Sequence, residues 1–283
     1  MRLHISHLTT YRYATPATGA IQTLRVTPRN HDGQFVTNWR IDVSSDCRLD
    51  QHKDAFGNIT HTFTVDGPLD ELKVLVEVEV ATRDTNGLVL GAFERFPPSL
   101  YLRETELTRP DEAVAQMASA ARSEAGADDL KLVHLLLERM HLKTQHDGAQ
   151  MQQQNGGQMQ VSTAATATPR PTHAAYQDFA HAFIATARCA GIPARCVSGY
   201  FRRSDGAADQ DAGHAWAEAF VGGLGWIAFD VANGICATDA HIRVAIGLDY
   251  LGAAPVRGMH YGGAAETLSV TVRVQQAASQ VQG

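Results

Sequence analysis

The chain of 283 residues reads as an α+β protein in which an antiparallel β module precedes a domain that mixes helix and sheet. Three observations predict this. Residues 72–81 alternate, with Val74, Val76, Val78 and Val80 on one face and Lys73, Glu77 and Glu79 on the other, the pattern of a strand with one buried face. Between Pro97 and Leu142 the apolar period becomes helical, with Leu130, Val133, Leu136, Leu137 and Met140 at three- and four-residue spacing. After Gly191 the period returns to that of strands. Pro193 to Phe201 forms one, and His214 to Val221 with Trp226 to Val231 form a hairpin around Gly222, Gly223 and Gly225.

Each element follows from local chemistry. From Leu3 to about Thr82 short alternating segments are divided by turn residues, at Arg25–Arg29, Asn30–Gly33 and Asp54–Asn58, with the run Val36–Val43 between them. We assign residues 1–90 to a β-sandwich-like domain. Arg109-Pro-Asp-Glu112 opens a helix whose early acids suit its positive end. Residues 144–172 are rich in Gln, Gly, Thr and Ala with almost no bulky apolar residue, which predicts a long exposed, flexible loop. A helix over Tyr176–Ala190 follows, with Phe179, Ala180, Phe183, Ile184 and Ala187 as its apolar stripe and Gly191 as its stop. The second domain spans 97–265, and 266–283 form a C-terminal strand and tail.

Composition excludes several functions. A net charge of -6 with dispersed Lys and Arg offers no basic stripe for nucleic acid. The amino terminus lacks the apolar stretch of a signal peptide and no run approaches about 18 apolar residues, so a cytoplasmic location and no membrane partner are expected. Cys47, Cys189, Cys196 and Cys236 form no C-x-x-C pair, and thirteen histidines show no ligand spacing of the H-E-x-x-H kind, so neither a metal nor another cofactor is expected.

The segments Gln177-Asp-Phe-Ala-His181, Gly191-Ile-Pro-Ala-Arg195, Val197-Ser-Gly-Tyr200, His214-Ala-Trp-Ala-Glu218 and Gly225-Trp-Ile-Ala-Phe-Asp230 resemble, in order and spacing, the bacterial transglutaminase-like family of the papain-type thiol-enzyme superfamily. The resemblance extends to Thr10-Tyr-Arg-Tyr13, Pro28-Arg29 and Asp54-Ala-Phe-Gly-Asn58 upstream. Downstream it includes His241-Ile-Arg-Val-Ala245, Gly247, Asp249-Tyr250 and Pro255-Val-Arg-Gly258. It implies a papain-like transglutaminase core, a helix packed on antiparallel sheet, behind an amino-terminal β domain. It also implies a site in which a cysteine at a helix amino terminus is held as thiolate by a histidine that an aspartate orients. Residue by residue, His214 matches the histidine and Asp230 the aspartate, while the cysteine position is Tyr176, preceded by Ala174-Ala175 where the family usually has Gly-Val.

Strand parity bears on the pair. His214 and Asp230 share a face only if the hairpin loop is of odd length or carries a bulge, which the three glycines permit. Asp178, read as a first-turn acid favoured by the helix dipole, receives no catalytic role. His181 points to another side of the helix as a surface or packing residue, His173 precedes the helix near the cleft, and Cys236 is the one other cysteine able to fold back toward it.

Tyrosine changes the chemistry. A phenol starts about 1.5 pKa units above a thiol, roughly 2 kcal/mol, but shape matters more. Its oxygen sits a ring's length from the sulfur position, and the ring fills the space meant for an acyl group. The expected function is a pseudoenzyme that binds a peptide or partner protein. The alternative is a cysteine-independent amide hydrolase or peptide ligase using His214 and Asp230.

Overall fold

The computed structural model describes residues 1–154, 173–263 and 265–277. Its strands are β1 (Arg2–Thr27), β2 (Gln34–Val43), β3 (Asp50–Lys53), β4 (Ile59–Thr82), β5 (Leu88–Val89), β6 (Ala194–Phe201), β7 (Asp209–Gln210), β8 (His214–Val221), β9 (Gly225–Asp230), β10 (Ile235–Cys236), β11 (His241–Gly247), β12 (Val256–Tyr261) and β13 (Glu266–Gln276). Its helices are α1 (Glu112–Ala125), α2 (Asp129–Gln154), α3 (His173–Cys189) and α4 (Tyr250–Ala253).

The amino-terminal strands are longer than the short segments expected. β1 and β4 run 26 and 24 residues and pair antiparallel almost throughout, with register breaks after Arg12, Ala17 and Leu24. Turn-type residues inside these strands are absorbed as bulges, where the extra residue lets a strand bend without ending. β2 and β3 pair with successive parts of β4, and β1 is covered on its other side by the chain's carboxyl end: β13 over Leu3–Tyr13 and β12 over Gly19–Leu24. The segment 266–276 is thus a full member of the amino-terminal sheet. Val74, Val76, Val78 and Val80 are all buried there, packed with Leu3, Ile5, Leu24 and Phe63.

The second sheet has the order β10-β9-β8-β6-β11, with β5 added against β9. α2 and α3 cover one face, where Leu132, Leu136, Phe183, Ile184 and Ala187 meet Cys196, Ala217, Ala219, Ile227 and Phe229. α1 begins as predicted, with the Asp111 carboxylate accepting from the Val114 N–H at 2.8 Å as an N-cap. α2 continues through Gln154, so residues 144–154, expected as loop, are helical. Gln, Met and Ala propagate a helix well without packing, and the single Gly148 costs only about 1 kcal/mol. The rest of that expected loop, 155–172, lies outside the described residues. α3 begins three residues before the predicted start, which places Asp178 beyond the first turn and removes its dipole argument. No helix among the described residues is long and apolar enough to cross a membrane.

Beyond the helices, β6 and β11 join the amino-terminal module. Tyr200, Ile242 and Val244 share one core with Ile5, Leu24 and Val272. β11 would be an open edge, but two side-chain amides satisfy it. Gln34 Nε2 donates to the Arg243 carbonyl and Gln34 Oε1 accepts from the Arg243 N–H, both at 2.8 Å. Asn58 does the same for Ile246, at 2.8 and 2.9 Å. Each amide stands in for a missing strand.

Candidate active site

The β8–β9 hairpin turns through Gly222, Gly223 and Leu224, so Val221 opposes Gly225 and residues of like parity face each other. Gly223 and Gly225 have φ of 81° and 95°, where a glycine is nearly obligatory. The three-residue loop has the odd length that the pair requires, and His214 and Asp230 fall on one face.

There His214 Nε2 donates to Asp230 Oδ2 at 2.7 Å, with His214 5% and Asp230 0% exposed. Asn233, in the turn after β9, adds its backbone N–H to Oδ1 at 3.2 Å and its amide Nδ2 to Oδ2 at 2.6 Å. Burial alone would push the Asp230 carboxyl up, but the contacts with His214 and His241 outweigh it and hold the group well below the usual carboxylate range. It stands ionised in the interior because its donors are in place.

His241 was not selected as a site residue from the sequence. It opens β11, and its Nε2 donates to the same Asp230 Oδ2 at 3.0 Å while its Nδ1 accepts from the Thr238 N–H at 3.0 Å. The periodicity of β11 carried no signal for this. The needed fact is that β6 lies between β8 and β11, with Gly199 opposite His214 and Phe201 opposite His241, so that two residues of like parity on β6 bring both imidazoles to one face.

An aromatic layer holds the rings. Phe201 lies 5.3 Å from His214 and 4.6 Å from His241 between ring centres, and buried Trp216 lies edge-on to His241 at 5.4 Å. Trp216 fits only because residue 199 is glycine. A Cβ there would meet the Ile242 carbonyl oxygen at 2.0 Å and the Trp216 ring at 2.6 Å.

Tyr176 comes to this group from the first turn of α3. Its ring is half-buried and edge-on to the His214 ring, centres 4.7 Å apart at 74°. His181, on the same helix, turns elsewhere as expected of a packing residue and accepts from the Tyr250 N–H at 2.9 Å. The side chain of His173 lies outside the described residues.

The four cysteines sit apart from the pair. Cys189 ends α3, about 20 Å along the helix from Tyr176 at ~1.5 Å per residue. Cys196 faces the helices and burial pushes its thiol far up. Cys236 opposes Phe229, the face away from Asp230, and its sulfur lies 3.8 Å from His134 Nε2. Cys47 packs on the amino-terminal core.

His214, Asp230 and His241 also place three potential metal-donor atoms within 4.8 Å of one another. Their hydrogen bonds read differently. A carboxylate only accepts, so both Nε2 atoms carry protons, and the Thr238 N–H on Nδ1 fixes that tautomer in His241. In this arrangement the three groups form a hydrogen-bonded relay.

Beside the relay, on the same face of β8, Glu218 is fully buried between two arginines. It accepts from Arg195 Nε at 2.7 Å and from Arg243 Nε at 2.6 Å. Arg195 forks onto Glu94 at 2.6 and 2.9 Å and lies 3.7 Å over the Trp226 ring. The motif Gly191–Arg195 thus supplies a structural arginine behind the site.

Comparison with known proteins agrees with this arrangement. Residues 3–81 match the model of the bacterial transglutaminase-like N-terminal region, and residues 120–231, which hold α3, His214 and Asp230, match that of the transglutaminase-like superfamily. An uncharacterized protein of Mycobacterium leprae is 28% identical over 98% of this chain and 99% of its own length. One of Mycobacterium tuberculosis is 27% identical over 92% of this chain and 88% of its own. A solved structure from Cytophaga hutchinsonii, provisionally named a cysteine protease, shares the fold with a TM-score of 0.64 at 17% identity, over 98% of this chain and 92% of that one. By its two successive family matches, the chain carries a transglutaminase-like core over residues 120–231 behind a bacterial transglutaminase-like N-terminal region over residues 3–81.

Proposed function

We propose that this protein is a member of the superfamily in which Tyr176 takes the place of the nucleophilic cysteine, leaving a cleft that binds a peptide or partner protein without thiol chemistry. The observation that carries this reading is the edge-on contact of Tyr176 with His214 beside an assembled His214–Asp230 bond. In this reading the ring takes the place of a thiolate paired with the imidazole, and its bulk takes up the approach to it; the edge-on contact supports this. Loss of the nucleophile in a triad hydrolase costs about a millionfold in turnover, and a comparable loss of acyl transfer is expected here. In this reading Tyr176, His214 and Asp230 are the site residues, and the protein works in the cytoplasm with no nucleic-acid or membrane partner.

The 2.7 Å His214–Asp230 bond supports a second reading, a cysteine-independent amide hydrolase or ligase in which this pair activates water or an amine. One assay separates the two: peptidase and amine transfer by wild type, Tyr176→Cys and His214→Ala on a broad peptide mixture read by mass spectrometry. Activity confined to Tyr176→Cys supports the plugged thiol site. Wild-type activity that disappears in His214→Ala refutes it in favour of the water route, and a Tyr176→Cys protein that folds yet stays silent argues against an otherwise intact thiol site.

A further inference from the structure

We propose that His241 is a positioning residue of this site, a second imidazole that sets the Asp230 carboxylate so that Asp230 can set His214. The proposal rests on the thiol-site reading above, and none of the readings made from sequence includes it. Asp230 Oδ2 receives three donors, His214 Nε2 at 2.7 Å, His241 Nε2 at 3.0 Å and Asn233 Nδ2 at 2.6 Å, whereas Oδ1 receives the Asn233 backbone N–H at 3.2 Å. An isolated carboxylate presents either oxygen to a histidine. Here the other two donors define which oxygen faces His214: Asn233 comes from the turn directly after β9, and His241 from β11, beyond β8 and β6.

The rest of the ring is fixed as firmly. Its Nδ1 takes the Thr238 N–H at 3.0 Å, Phe201 lies 4.6 Å from its centre, and Trp216 lies edge-on at 5.4 Å. His241 is 6% exposed, so its Nε2–H has no competing water shell. A relay therefore runs from the Thr238 N–H through His241 and Asp230 to His214, whose ring meets Tyr176. Outer-shell partners that orient metal-ligating histidines cost about 10- to 100-fold when lost, and a loss of that order is expected for His241 by the same orienting logic.

Two variants separate positioning from mere support of the turn at Thr238. His241→Asn keeps an acceptor at the Nδ1 position but has no donor that reaches Asp230. His241→Gln extends an amide donor to the Nε2 position but gives up the Thr238 contact. In the otherwise wild-type full chain with ¹⁵N-labelled histidine, His214 is expected to show one Nε2–H tautomer. In His241→Asn its two ring-nitrogen resonances draw together as tautomers exchange, and in His241→Gln they return to the wild-type positions. In the Tyr176→Cys background, His241→Asn should lower kcat about tenfold or more with KM within about twofold, and His241→Gln should stay within about threefold. A His214 spectrum unchanged in folded His241→Asn, or a Gln variant that behaves worse than Asn, overturns the proposal. An inactive Tyr176→Cys protein would sink the thiol-site reading alone, because the spectra decide the role of His241 without turnover.

Discussion

Replacing Glu218 by Gln removes one charge from a place that water does not reach. Glu218 and Arg195 are both 0% exposed, and Arg243 is nearly as deep. Arg195 keeps its fork on Glu94 and its place over Trp226, but Arg243 pairs with Glu218 alone among the described residues. Breaking a buried pair by removing one partner costs about 3–5 kcal/mol, mostly the cost of the stranded charge. Burial alone would push the Glu218 carboxyl up, but Arg243 and Arg195 together lower it from 4.5 to about 2. A difference of roughly 2.5 pH units corresponds to about 3 kcal/mol, close to the first figure. The sign follows from the depressed folded-state value. This stabilisation is complete above about pH 4.5 and is lost as the pH falls from there toward 2. The assay is unfolding by urea and by heat between pH 7 and pH 2 for wild type, Glu218→Gln and Glu218→Gln/Arg243→Met. At pH 7 the single variant should lose about 3 kcal/mol, on the order of 10 °C in Tm for a chain of this size. The double variant should recover more than about 1 kcal/mol because it no longer buries an unpaired cation. The gap between wild type and Glu218→Gln should narrow below pH 4.5. A Gln variant within about 1 kcal/mol of wild type at pH 7, or a gap that persists unchanged to pH 2, would show that the reasoning about this buried quartet is wrong.

Other perturbations test other contacts. Gly199→Ala forces a methyl into the Ile242 carbonyl and the Trp216 ring, and should destabilise by about 3 kcal/mol or prevent soluble expression; near-wild-type melting would mean that the layer under His214 yields easily. Gln34→Leu strips the edge of β11 of both amide contacts at Arg243 and should cost about 2–4 kcal/mol, with the Arg243 amide exchanging faster in hydrogen-exchange measurements. In the Tyr176→Cys background, Asp230→Asn should cut turnover by about 10⁴, the penalty for a histidine held in the wrong tautomer, and a loss under tenfold would remove Asp230 from its assigned role.

The sequence by itself determined the elements whose signals are local. The alternation of Val74 to Val80, the apolar stripe of α3, the stop at Gly191 and the glycine-rich hairpin all appear in the structure, because periodicity and turn chemistry act over a few residues. The motif order also carried the resemblance, and parity required an odd hairpin loop or a bulge, of which the structure has the odd loop. Only the tertiary structure decided the rest. That β1 and β4 bend through bulges instead of ending depends on the strands available to pair with them, among them β13 from the far end of the chain. That α2 continues past residue 143 accords with the helix propensity of its Gln, Met and Ala, a case in which absent bulky residues misled. His241 is the clearest instance. The motif His241–Ala245 carried the resemblance but gave this residue no role, since its partner is eleven residues away and its alignment with His214 exists only because β6 is inserted between their two strands. A carboxylate gathers donors by position in space, and strand order, which sequence periodicity does not encode, fixes those positions.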